Sequence, residues 1–157
     1  MEGAAAQNGR MRATYPAAVY LCLRDDRGRV LLLRRAGTGY RDGELALPAG
    51  HIEPGESATA ALLRETREEL GLDLPADAVR MVLVQHGIAD GLAYVDFVFA
   101  AVLARGMRPR IAEPDKASEL LWAPLDELPA DVVPVIRNAL EALARGETYT
   151  EYGWGDA

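Results

Sequence analysis

Apolar positions in this chain cluster first into short strand-like runs, then take on a helical spacing, and return to strand-like runs further along. Residues 15–23 (YPAAVYLCL) are rich in β-formers and stop at Asp25-Asp26-Arg27-Gly28, which reads as a hairpin turn. Residues 29–34 (RVLLLR) supply the returning strand. The glycine-rich stretch 36–43 reads as a loop, and 44–48 as a short strand leading into the next segment. The spacing then predicts a helix over 57–70, with Ser57 as N-cap and Gly71 as the residue just past its end. Residues 79–88 and 93–103 are two further strands joined across Ala89-Asp90-Gly91. The stretch 105–118 carries Gly106, Pro109 and Pro114 and reads as an extended loop, followed by a short strand at 119–123. A second helix spans 131–145: Val135, Ile136, Ala139, Leu140 and Leu143 form one stripe and Gly146 ends it. Tyr149, Tyr152 and Trp154 make the last residues too aromatic for a free tail, so they are expected to pack on the body or on a partner subunit.

Strands interleaved with two helices at irregular intervals suggest α+β or a layered α/β/α arrangement. The 157 residues fit one domain, taken as 15–157, after a small-residue, polar and mobile tail over 1–14. Half the residues are apolar and 26% are charged, as in an ordinary globular protein. The net charge of −7 argues against a nucleic-acid or anionic-membrane surface. It leaves room for a small phosphorylated ligand, because bound divalent cations reverse the sign locally. Cys22 is the one cysteine, which excludes an internal disulfide and a cysteine zinc cluster and suits a reducing cytosol. No apolar run reaches the ~18 residues of a membrane span, and the N-terminus lacks a signal-peptide core, so a cytoplasmic location is the expectation.

The chemistry concentrates in residues 50–72, GHIEPGESATAALLRETREELGL. At about 100° per residue, Glu65, Glu68 and Glu69 share a helix sector of about 100°. Leu62, Leu63, Thr66 and Leu70 occupy the neighbouring sector, which should pack on a sheet. Like charges four residues apart destabilise a helix, so the acidic edge calls for a cation. Mg²⁺ suits it, with its oxygen ligands and retained waters. The loop before the helix can add the Ala49 carbonyl, where Gly50 lets the chain come close. Arg64 is placed to pair with Glu56 or to orient Glu65.

Gly50, Glu56, Arg64, Glu65, Glu68, Glu69, Gly71 and Leu72 fill a pattern that resembles the Nudix box, G-x5-E-x7-R-E-U-x-E-E-x-G-U with U aliphatic. Thr66 departs from it, and its hydroxyl can bond back to the Leu62 carbonyl. The resemblance implies a Nudix α/β/α sandwich with a mixed β-sheet, Mg²⁺ or Mn²⁺ as cofactor, and hydrolysis of a pyrophosphate bond in a nucleotide. It implies Glu65 and Glu69 as principal metal ligands with Ala49, Glu68 as ligand or water activator, and Arg64, Glu65 and Glu68 as the catalytic set. Gly50 and Glu56 are supporting residues.

Glu113-Pro114-Asp115-Lys116 and the following Trp122-Ala123-Pro124 with Leu128-Pro129 are similar to a stretch of MutT-like, thiopurine-nucleotide-cleaving Nudix enzymes, with Ala117 in place of their cysteine. That branch often carries Arg-Glu-Thr in the box, as here. The implied reaction takes a purine nucleoside triphosphate to the monophosphate and pyrophosphate. An ADP-ribose or nucleotide-sugar pyrophosphatase and a non-catalytic nucleotide sensor are the alternatives. Substrate contacts are expected from Arg34 (or its neighbour Arg35), His51 and Glu113, the last as a further carboxylate. His86 reads more readily as structural than as a nucleotide contact, and Trp122 as core. The partner is a small-molecule nucleotide, and the aromatic C-terminus leans toward a homodimer.

Overall fold

A computed structural model describes residues 12–155. Eight strands form one sheet: β1 (Ala17–Arg24), β2 (Val30–Arg35), β3 (Leu45–Ala46), β4 (Ala49–His51), β5 (Arg80–Ala89), β6 (Leu92–Val102), β7 (Ala117–Ala123) and β8 (Tyr149–Tyr152). Two helices, α1 (Ala58–Leu70) and α2 (Pro134–Ala144), cover its opposite faces. The sheet is mixed: β1 runs parallel to β6 and β5 parallel to β8, whereas β1–β2, β1–β4, β2–β3, β2–β7 and β5–β6 are antiparallel. This is the expected α/β/α sandwich.

Because helices cover both faces, the central strands are apolar on both sides. Val19, Leu21 and Leu23 of β1 pack with Leu31, Phe99 and the Ala61, Leu62 and Leu70 stripe of α1. Cys22, Leu32, Leu83 and Val98 pack instead beneath Ile136, Ala139 and Leu140 of α2. The β1–β2 hairpin closes as its residue types suggest. Asp25 Oδ1 accepts the N–H groups of Arg27 (3.0 Å) and Arg29 (2.8 Å), and Gly28 takes φ 75°. Asp90 and Gly91, both at positive φ, make the tight β5–β6 turn.

Helix α1 is capped as expected. Ser57 Oγ accepts the Ala60 N–H at 3.1 Å, and Gly71 ends the helix at φ 63°. The Thr66 hydroxyl donates to the Leu62 carbonyl at 2.7 Å, and Thr66 is buried.

Several boundaries differ from those the sequence suggests. Helix α2 begins at Pro134 rather than at residue 131, because Leu45 donates to Asp131 O (2.9 Å) and Val133 donates to Leu45 O (2.8 Å), which holds 131–133 extended against β3. The segment read as one strand at 44–48 splits into β3 and β4, which pair with different partners. Gly50 therefore lies within strand β4, not in a loop, and its φ is not positive. Strand β7 starts at Ala117, where a register shift beside Arg34 and Arg35 adds a pair to β2.

The expected packing of the C-terminal aromatics is met in part: β8 extends the sheet beside β5 and Tyr152 joins the cluster under α2, whereas Tyr149 and Trp154 stay exposed. Residues 1–11 of the expected N-terminal tail lie outside the described residues, and 12–14 are exposed without regular structure. Among the described residues no helix is long and apolar enough to cross a membrane.

Candidate active site

The sheet forks at β1. Strand β4 pairs with β1 at Ala18–Tyr20, and β2 meets it only at Arg24. A cavity of about 510 Å³ is lined from both arms of the fork, by Tyr20, Arg35, Tyr40, Ala49, Gly50 and His51 among others. Helix α1 contributes Glu65 and Glu69 to its wall, and the loop before β7 contributes Glu113 and Lys116. Most of the predicted site residues thus meet around one space.

Gly50 makes the approach of α1 to β4 feasible. A Cβ on Gly50 would lie 1.9 Å from Glu65 Cδ, so a side chain there would occupy the space of the carboxylate itself. Glu65 is oriented by Arg64, whose Nη1 donates to Oε1 at 2.6 Å. The same guanidinium binds Glu56 through Nε (2.8 Å) and Nη2 (3.0 Å), and donates to the His51 carbonyl at 3.1 Å. Arg64 therefore joins α1, β4 and the intervening loop. Its hydrogen bonds, with the Glu53 N–H, hold the Glu56 carboxyl below the usual range.

The carboxyls facing the cavity show the reverse. Burial, opposed by the Ala49 N–H and reinforced by Glu65 and Glu113, pushes Glu69 up to about 8. The Ala49 N–H donates to Glu69 Oε2 at 2.9 Å, which ties β4 to α1. Burial also raises Glu65, against the pull of Arg64. These are carboxylates gathered with too little positive charge, an environment that a divalent cation would balance. The donor set is all oxygen, as Mg²⁺ or Mn²⁺ requires. Among the described residues no three acidic or histidine side chains are already grouped closely enough to hold a metal ion. Glu65 is turned to Arg64 and Glu113 to Lys116. The residues fit the cation by identity and position, with side-chain rotation needed to close around it.

Glu68 stands apart from this group: its side chain is half exposed, does not line the cavity, and reaches Arg64 Nη1 at 3.4 Å. Arg34 is also outside. Its guanidinium is held by Glu119 (2.7 Å), Asp131 (2.6 Å) and the Gly43 carbonyl (2.8 Å). The neighbouring Arg35 lines the cavity instead, fixed by the Tyr40 carbonyl (2.8 Å) and Thr38 Oγ1 (3.0 Å), with its guanidinium over the Tyr40 ring.

Sequence reasoning does not single out Tyr20, Tyr40 or Lys116 as site residues, although Lys116 belongs to the Glu-Pro-Asp-Lys segment and carries a signal. The tyrosines carry none, since aromatic residues in strands and loops more often fill cores. A smaller apolar annex of about 130 Å³ adjoins the cavity and shares Tyr20, Arg35, Tyr40 and Ala49 with it; Leu47, Tyr94 and Ile136 extend its wall. His86 lies elsewhere, between the rings of Tyr15 and Trp154, and its carbonyl accepts the Trp154 indole N–H at 2.9 Å. Trp122 packs against the core beneath α1.

Comparison with known proteins agrees with this arrangement. Residues 14–143 match the NUDIX domain. The chain is 36% identical over 113 residues to the 8-oxo-dGDP phosphatase NUDT18 of Homo sapiens, covering 71% of this chain and 32% of that protein. It is 31% identical over 107 residues to the NAD-capped RNA hydrolase NudC of Stutzerimonas stutzeri, covering 66% of this chain and 35% of that protein. The chain thus spans about a third of the length of these curated relatives. The crystal structure of a MutT NUDIX hydrolase from Burkholderia pseudomallei superposes with a TM-score of 0.72 at 32% identity, over 82% of this chain and 98% of that one. With the domain match covering most of the sheet, both helices and the whole carboxylate cluster, the chain belongs to the Nudix family.

Proposed function

We propose that this chain hydrolyses the pyrophosphate bond of a purine nucleoside triphosphate, releasing the monophosphate and pyrophosphate, with Mg²⁺ or Mn²⁺ as cofactor. The observation that carries this reading is the part-buried, under-compensated Glu69, with Glu65 and Glu113 beside it, at the wall of a cavity that also presents Arg35, His51 and Lys116. One side of that cavity suits a hard cation, and the other suits phosphate oxygens. The neighbouring annex, apolar and edged by tyrosines, suits a planar base.

Glu65, Glu69, Glu113 and the Ala49 carbonyl would hold the cation, which supplies charge neutralisation and an activated water. Arg64 ties Glu65 to Glu56 and to the β4–α1 connection, which limits how far the carboxylate has to turn to meet the cation. Arg35 is held in place by its own loop, which suits a phosphate contact. The closely placed glutamates share protons as a set, so general-base work belongs to the group rather than to one member. Glu68, half exposed, fits a role in orienting Arg64 from this geometry.

A second reading is favoured by the relative from Homo sapiens, whose name specifies an oxidised guanine nucleoside diphosphate. The same apparatus would then release phosphate in place of pyrophosphate. A panel of dGTP, 8-oxo-dGTP, 8-oxo-dGDP and ADP-ribose with Mg²⁺ separates these readings by leaving group. Pyrophosphate from a triphosphate supports the first and phosphate from the diphosphate the second. AMP with ribose 5-phosphate from ADP-ribose as the dominant products would overturn both.

A further inference from the structure

The Glu65, Glu69 and Glu113 carboxylates line the cavity together with one ammonium, that of Lys116, whose Nζ lies 2.8 Å from Glu113 Oε1. The backbone around this pair is tightly fixed. Lys116 N–H and Ala117 N–H both donate to the Glu113 carbonyl, at 3.0 and 3.2 Å, closing a turn. On one side Ala112 N–H donates to the Glu69 carbonyl at 3.0 Å, tying the turn to α1. On the other, Ala36 N–H donates to the Lys116 carbonyl at 2.9 Å, tying it to the end of β2. A Cβ on Gly37 would lie 2.4 Å from the Asp115 carbonyl oxygen, so the two loops meet at backbone contact. The turn is a fixed mount, whereas the Lys116 side chain is 55% exposed on a flexible stem.

We propose that Lys116 is an exchangeable counter-ion, capping Glu113 while the carboxylate cluster holds no divalent cation and turning to the substrate's phosphate chain once Glu113 engages one. This rests on the metal-dependent reading of the cavity. An exposed ion pair of this kind contributes little stability, so it opens readily. An ammonium beside a divalent cation on one carboxylate is repelled, which drives the lysine toward the remaining anionic partner, the phosphates. Its three rotatable donors suit a chain of phosphate oxygens. Lys116 thus partners Glu113 before the cation binds and the phosphates afterwards.

The test is Mn²⁺ titration without nucleotide, by calorimetry or electron paramagnetic resonance, on wild type, Lys116→Met, Lys116→Arg and Glu69→Gln, with thermal melts to confirm folding. Lys116→Met keeps the stem and loses the charge. It should bind Mn²⁺ about three- to tenfold more tightly. Its KM for dGTP should rise about tenfold while kcat stays within about threefold, the signature of lost binding rather than lost chemistry. Lys116→Arg should return both values toward wild type. Unchanged or weaker Mn²⁺ binding by Lys116→Met, or an unchanged KM, overturns the role of Lys116 while leaving the metal reading standing if Glu69→Gln has lost the ion. A wild-type protein that binds no Mn²⁺ overturns both.

Discussion

Gly50 and Glu69 set the site by opposite means, one by lacking a side chain and the other by placing a carboxylate where little compensates it. A methyl group at position 50 would meet the far end of Glu65, a flexible side chain, rather than backbone. Gly50→Ala is therefore expected to fold, with Glu65 displaced from the cavity wall. Its Mn²⁺ affinity should fall at least tenfold, read by calorimetry, with a melting temperature within a few degrees of wild type. An unchanged affinity would remove the close approach from the account. Glu69→Gln keeps the shape and the Ala49 hydrogen bond while removing the charge. Turnover in a pyrophosphate-release assay should drop by about 10²–10³, the scale of losing a group that stabilises transition-state charge. Undiminished turnover would take Glu69 out of the site.

Helix α1 carries its signals at its ends and on its buried stripe, which is why spacing and residue type reveal it so clearly. Ser57→Ala removes the bond to the Ala60 N–H and should cost about 1 kcal/mol. For a protein of this size that lowers the melting temperature by about 2–4 °C in a calorimetric scan. Thr66→Val exchanges the bond to Leu62 for a methyl on the buried face, and should change stability by less than about 1 kcal/mol with turnover retained.

Strand β2 is harder to read from its residues. Val30 to Leu33 are all buried, so no alternation reveals which side the next two residues take. Strand alternation then turns the Arg34 guanidinium to Glu119 and Asp131 and that of Arg35 to the cavity. The start of helix α2 departs from its sequence pattern for a related reason: residues 131–133 look helical alone but find hydrogen bonds on β3, and Pro134 needs no donor at the first helical position.

Across the whole molecule, a buried polar chain joins sheet, helix and C-terminus. Asp96, 2% exposed, meets Gln85 Nε2 at 3.4 Å; Gln85 donates to the Val135 carbonyl and accepts from Asn138, which donates to Thr150 and to the Glu151 carbonyl of β8. Burial, only partly offset by Gln85, pushes Asp96 up from 3.8 to about 7. The native state therefore holds this proton where the unfolded chain has released it. Its contribution is complete below about pH 4 and is lost as pH rises to about 7, by about 4 kcal/mol in full. Asp96→Asn should remove that dependence. The melting temperature of the variant minus that of wild type should grow between about pH 4 and 7 and then level off, and a constant difference would refute it. Glu69, up at about 8, adds a loss of the same sign in metal-free protein, and Mg²⁺ should diminish that part alone.

The sequence by itself determined the parts that depend on neighbours along the chain. Turn residues, the caps of α1 and the angular placement of Glu65 and Glu69 are local, so spacing and residue type suffice. The resemblance of the box to the Nudix family also implied the layered sandwich, where the pattern of elements left α+β open beside it. Only the tertiary structure decided which side chains from distant segments meet. The fork between β4 and β2, the choice of Arg35 over Arg34, the separation of Glu68 from Glu65 and Glu69, and the arrival of Lys116 beside Glu113 at the cavity all depend on strand pairing and loop docking. Those contacts are set by a competition for hydrogen bonds and charge among segments far apart in the chain, and no local pattern encodes its outcome.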